Sequence, residues 1–121
     1  MKNLLLLSLT ALQIFASSIT IKDHNKVSTL DVEFKNNKYY LAKNNTKSFG
    51  GNKLIIRVKD VTPSYMNQIE NTYGLKNTAI LVTNDYIYKT NGNISIFDIC
   101  EDLSNDSNII SIKPLIKTRI E

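Results

Sequence analysis

The chain has 121 residues, room for one domain, and a net charge of +4 from 15 basic and 11 acidic side chains. The basic excess is spread along the sequence without a long basic run, which argues against nucleic acid as a partner. One cysteine, Cys100, excludes an internal disulfide.

Met1-Lys2-Asn3 followed by the apolar stretch Leu4 to Ala16 has the form of a secretory signal. Ala16-Ser17-Ser18 supplies small residues for cleavage, and the stretch is shorter than the ~20 residues a membrane-spanning helix needs. No cysteine stands near the cleavage point to carry a lipid anchor. The expected division is a signal over 1–18, an N-terminal extension with a hairpin and linker over 19–52, and a compact domain over 53–121. The expected location is secreted or periplasmic, with no membrane contact after cleavage.

Residues 19–27 read as polar and undirected. Leu30, Val32 and Phe34 alternate, Asn36-Asn37 offers residues that tolerate positive φ, and Tyr39-Tyr40-Leu41 returns, which predicts a β-hairpin. Residues 43–52, with Gly50-Gly51, have linker character. From Lys53, Leu54, Ile56 and Val58 alternate with Ile55 and Arg57, the period of a strand. Thr62-Pro63 opens a helix as N-cap and first helical residue, Met66, Ile69 and Tyr73 share one face, and Gly74 suits the C-terminal cap. Strands are predicted at Ala79–Val82 and Tyr86–Lys89, joined by a turn at Thr83-Asn84-Asp85. Ser95 and Asp98 form a capping pair for a second helix with the stripe Ile96, Ile99, Cys100 and Leu103. Ile109–Ile112 is the last strand, Lys113-Pro114 ends it, and Leu115 to Glu121 follow with no partner element.

The order β-α-β-β-α-β predicts an α+β, ferredoxin-like sandwich: two helices on a four-stranded antiparallel sheet, preceded by the hairpin. Leu54, Ile56, Ile69, Ile99, Leu103 and Ile110 are the expected core. The other face of the sheet is expected to be uncovered, with Ile55, Tyr86 and Tyr88 as contact residues.

No catalytic constellation is legible. His24, the one histidine, has no acid or cysteine at metal-ligand spacing, so no metal site and no cofactor are expected. Cys100 sits on an apolar helix stripe as packing. Lys59 to Pro63 lacks the glycines and arginine of an acylphosphatase loop, and the strands lack an RNA-recognition motif. The residues point to a protein that is not an enzyme.

Four segments in order resemble the propeptide domain of subtilisin-like serine proteases. They are the hairpin Phe34 to Leu41, the strand Lys53 to Lys59, the helix end Asn71-Thr72-Tyr73-Gly74-Leu75, and the helix-turn-strand-proline run Leu103 to Pro114. The likeness covers residues 30–121, and order and spacing carry it. It implies a free-standing inhibitor or folding chaperone of a separately encoded subtilisin-like serine protease. The sheet face would dock, and Lys117, Thr118, Arg119, Ile120 and Glu121 would occupy the substrate cleft as an added strand. The chain departs from the family in having Lys113, Pro114 and Leu115 where acidic residues follow the last strand. The rival expectation is a periplasmic adaptor whose open sheet binds another exported protein; a small-molecule sensor comes third and a hydrolase last.

Overall fold

Alternation, turn chemistry and two helix caps together build one curled antiparallel sheet with two helices on its core side. The computed structural model describes residues 15–118, so most of the expected signal segment lies outside the described residues. The strands are β1 (Phe15–Asp23), β2 (Lys26–Lys35), β3 (Lys38–Leu41), β4 (Asn44–Phe49), β5 (Lys53–Val58), β6 (Leu75–Ile80), β7 (Tyr86–Thr90), β8 (Ile109–Pro114) and β9 (Lys117–Thr118). The helices are α1 (Pro63–Tyr73) and α2 (Ile96–Ser104). The spatial order is β6-β7-β5-β8-β1-β2-β3-β4-β9.

This corrects the expected ferredoxin-like sandwich. The segment 53–114 does run β-α-β-β-α-β, but its sheet does not stop at four strands. β1 pairs with β8 at Lys22 and Ile112, and four further strands continue the sheet into a half-barrel. The physical reason lies on either side of the expected hairpin, where residues 19–27, expected to be polar and undirected, and the expected linker from Lys43 contribute strands β1 and β4. His24 and Asn25, with φ of 49° and 67°, make the tight β1–β2 turn, as Asn36 and Asn37 do for β2–β3 with φ of 52° and 62°. β4 replaces the expected linker and pairs with β3.

α2 lies in the hollow of the curl, packed on β1 and β8. Its far contact is aromatic. Phe34, Tyr39 and Phe49 form a cross-strand row over β2, β3 and β4, and Phe97 of α2 meets Tyr39 edge-on at 5.0 Å between centroids. Tyr39 also stacks on Phe49 at 5.2 Å. One continuous core therefore joins Ile19, Val32 and Phe49 of the N-terminal strands to Leu54, Ile56, Ile99, Cys100 and Leu103. Asp106 pins its neighbours: it accepts from the Tyr65 hydroxyl at 2.7 Å, and its carbonyl accepts from the buried Lys22 ammonium at 3.1 Å.

The helix ends follow their caps. Thr62 Oγ1 accepts from the Tyr65 N–H, Gly74 ends α1 at φ 64°, and Ser95 Oγ accepts from the Phe97 N–H. Two strand details differ from expectation. β6 occupies Leu75–Ile80, leaving Leu81 and Val82 in the following turn, where Val82 is fully exposed. Ile109 and Ile112 are buried while the expected core residue Ile110 is half-buried, because a bulge opposite Arg57/Val58 shifts the pairing from Ser111 to Ile109.

Candidate functional site

β5 divides its side chains between two faces. Leu54 and Ile56 are fully buried toward the helices, while Lys53, Ile55 and Arg57 face the other way. Register carries this division across the sheet. Ile55 stands opposite Ile87 of β7 and Lys113 of β8, and Arg57 stands opposite Ser111. Lys53 stands opposite Lys89, which in turn stands opposite Lys76 of β6. The face away from the helices thus has a row of three lysines, a row with Ile87, Ile55 and Lys113, and a polar row around Arg57.

The polar row opens into a cleft of about 220 Å³ lined by Asp23, His24, Ile55, Arg57, Asp85, Ser111 and Lys113. Arg57 Nε and Nη2 donate to the two oxygens of Asp85, each at 2.9 Å, and Thr83 Oγ1 donates to Asp85 at 2.6 Å. The Arg57 hydrogen bonds hold the Asp85 carboxyl below its usual range, with Thr83 and the charge of Lys113 adding to them and burial opposing. Asp85 in turn raises the Arg57 guanidinium above its usual value.

Serine, histidine and aspartate also meet in this cleft. Ser111 Oγ accepts from the His24 backbone N–H at 3.1 Å and donates to Asp23 at 3.4 Å, while His24 Nδ1 lies 3.0 Å from Asp23. Among the described residues no imidazole nitrogen bonds the Ser111 hydroxyl. A serine nucleophile needs a base in that position. The arrangement fastens the β1–β2 turn to β8 instead.

Of the expected sheet contacts, Ile55 is on the open face, half-buried. Tyr86 and Tyr88 are not, which is a correction. Their register puts them opposite Ile56 and Leu54, on the helix side. Tyr88 is wholly buried, stacks on Tyr86 with centroids 6.2 Å apart, and donates its hydroxyl to Glu70 at 2.9 Å. Ile87, between them in sequence, takes the outward position.

The segment after Pro114 also differs from the partnerless tail that was expected. The Leu115 N–H donates to the Lys53 carbonyl at 3.1 Å, Ile116 packs against the core, and Lys117 and Thr118 pair with Ser48 and Lys47 of β4. The edge of β4 became available because residues 44–49 form a strand. Arg119, Ile120 and Glu121 lie outside the described residues.

Cys100 is fully buried, and burial pushes its thiol up to about 12, so it stays protonated at neutral pH. Among the described residues no three His, Cys, Asp or Glu side chains gather where a metal could bind, and no helix is long and apolar enough to cross a membrane. The lysine row was missed in the sequence. Its signal was the outward parity of Lys53 and Lys89, which became a row only through cross-strand register. No family model matches the chain, and no curated protein or solved structure matches it.

Proposed function

We propose that the chain is a binding domain that docks on a subtilisin-like serine protease as inhibitor or folding chaperone. The observation that carries the reading is the open face of β5, β7 and β8, with Ile55 and Ile87 at its centre and the Arg57–Asp85 pair fixed beside them. The segment that would enter a substrate cleft follows directly from β8, so a body docked on this face lies beside it. Lys117 and Thr118 hold β4 by only two exposed register positions. Exchange of that pairing for the edge of a substrate cleft replaces its main-chain hydrogen bonds and adds side-chain pockets. The resemblance of residues 30–121 to protease propeptides supports the identity of the partner.

A second reading, an adaptor for another exported protein, draws on Ile80 at the end of the edge strand β6 and Val82 in the turn after it, which are 58% and 103% exposed. Titration of the purified chain against a subtilisin-like protease separates the two. Stoichiometric loss of peptide hydrolysis is expected. Full hydrolysis at saturating concentrations of the chain rejects inhibition, and if the chain also fails to speed refolding of the denatured protease, the protease reading falls and the adaptor is left.

A further inference from the structure

We propose that the open face of β5–β8 is built to meet an acidic protein surface, with carboxylates around a small apolar patch. The inference rests on reading this face as a docking surface, though not on the partner being a protease.

Lys53, Lys89 and Lys76 stand in consecutive register across three neighbouring strands, and Lys113 stands in the next row beside Ile55. Like charges directly opposite one another in a sheet oppose folding. Among the described residues, no acid lies within ion-pair distance of these four ammonium groups; the two close ion pairs are Arg57–Asp85 and His24–Asp23. The chain has acids that could have relieved the row, but Glu70, Glu101 and Asp102 are on the helices and Asp31 and Glu33 on β2. Four lysines thereby share one face without a close acid partner, and Asp85, whose carboxyl feels the charge of Lys113, is bonded to Arg57.

The kind of anion follows from what accompanies the lysines. Ile87 and Ile55 are adjacent and half-buried, bordered by the lysine row on one side and the Arg57–Asp85 pair on the other. An apolar centre with a charged rim is the anatomy of a protein–protein contact. A single-stranded nucleic acid would call for aromatic side chains to stack on, and the two tyrosines of β7 face the helices. The arginine that would grip a phosphate is already held by Asp85. The lysines steer an acidic partner and set its orientation, and the isoleucines fill its apolar patch.

The test is binding of the full chain to poly-L-glutamate, to a DNA duplex and to phosphatidylglycerol vesicles over a range of salt. Poly-L-glutamate is expected to bind with an affinity that falls as salt rises. The variant K76E/K89E/K113E is expected to weaken binding by at least about tenfold, since like charges then face each other across the contact. K26E/K43E/K47E, which changes the same charge on the N-terminal hairpins, is expected to leave it unchanged. All these lysines are exposed except the half-buried Lys113; K76Q/K89Q/K113Q, expected to weaken binding by a smaller factor, serves if the reversal disturbs folding. Equal losses in the two triple reversals overturn the proposal, as does tighter binding of DNA or vesicles. Loss confined to the open-face variants, with neither inhibition nor assisted refolding of a subtilisin-like protease, upholds the acidic partner and removes the protease.

Discussion

Arg57 and Asp85, 28 positions apart in sequence, close a bidentate pair with both N–O distances at 2.9 Å. The pair clamps the turn between β6 and β7 to the open face of β5. Thr83 Oγ1 completes the carboxylate's partners at 2.6 Å, so the turn is held from within and from across the sheet.

Asp85→Asn should lower the melting temperature at neutral pH and leave it unchanged in strong acid. The carboxyl is held below its usual value by the Arg57 hydrogen bonds. Its stabilising contribution is therefore complete above the unfolded carboxylate range, about 3.9, and is lost as pH falls through the lower folded value. Melting curves of both proteins from pH 7 downward check this. A difference that stays constant with pH means that the ion pair is not its source.

Gly74→Ala should be costly for two separable reasons. Gly74 ends α1 at φ 64°, where a side chain costs about 1–2 kcal/mol. An added methyl group would also overlap the carboxamide of Asn91, whose backbone N–H donates to the Gly74 carbonyl at 2.9 Å. In urea denaturation, Asn91→Ala should recover the overlap part in the Gly74→Ala background and leave the backbone part. Additive costs in the double variant would show that the carboxamide simply moves aside.

Phe97→Ala should loosen the N-terminal strands more than the rest of the sheet. Phe97 is half-buried and meets Tyr39 at 5.0 Å and Phe49 at 6.5 Å between centroids. Truncation of a wholly buried phenylalanine costs about 3–5 kcal/mol, so about 2 kcal/mol is expected at this half-buried site. Amide exchange should quicken in β3 and β4 before β5 and β7, because the aromatic row is what ties those strands to α2. A uniform change across the sheet would show that the row is not a separate unit.

Local chemistry made the C-terminal half readable. Thr62, Pro63 and Gly74 frame α1, Ser95 opens α2, and Leu54 and Ile56 alternate into the core as their period implies. β4 was not readable, because Asn44, Asn45, Thr46 and Lys47 are exposed and Phe49 alone is buried, which leaves no alternation to detect. Ile19 and Ile21 do alternate, but beside an apolar leader and before His24 and Asn25 they read as unstructured. The same limit governed the site. Parity within β5 placed Ile55, whereas the sides of Tyr86 and Tyr88 depend on pairing with β5, a long-range relation that no single strand encodes. Ile109 and Ile110 exchange expected roles for a similar reason, since the bulge that selects between them is set by the facing strand.

Truncation at two points should separate the anchored and exchangeable parts of the C-terminal segment. Removal of residues 117–121 takes away Lys117 and Thr118, which are exposed and pair with β4 at two positions. Exposed ladder hydrogen bonds contribute about 0.5–1.5 kcal/mol each at most, and fraying at a sheet edge reduces that, so stability should fall by about 1 kcal/mol or less. Removal from Leu115 onward also takes the Leu115 N–H from the Lys53 carbonyl and strips Ile116 from the core. That should cost about 2 kcal/mol more, the burial of a partly covered isoleucine plus one ladder bond. Urea denaturation of both truncated chains measures the difference, and a protease titration reads the functional side. If the segment enters a substrate cleft, the shorter deletion should abolish inhibition while the folded domain still binds through Ile55 and Ile87. Inhibition that survives both deletions assigns the blocking contact to the sheet face itself.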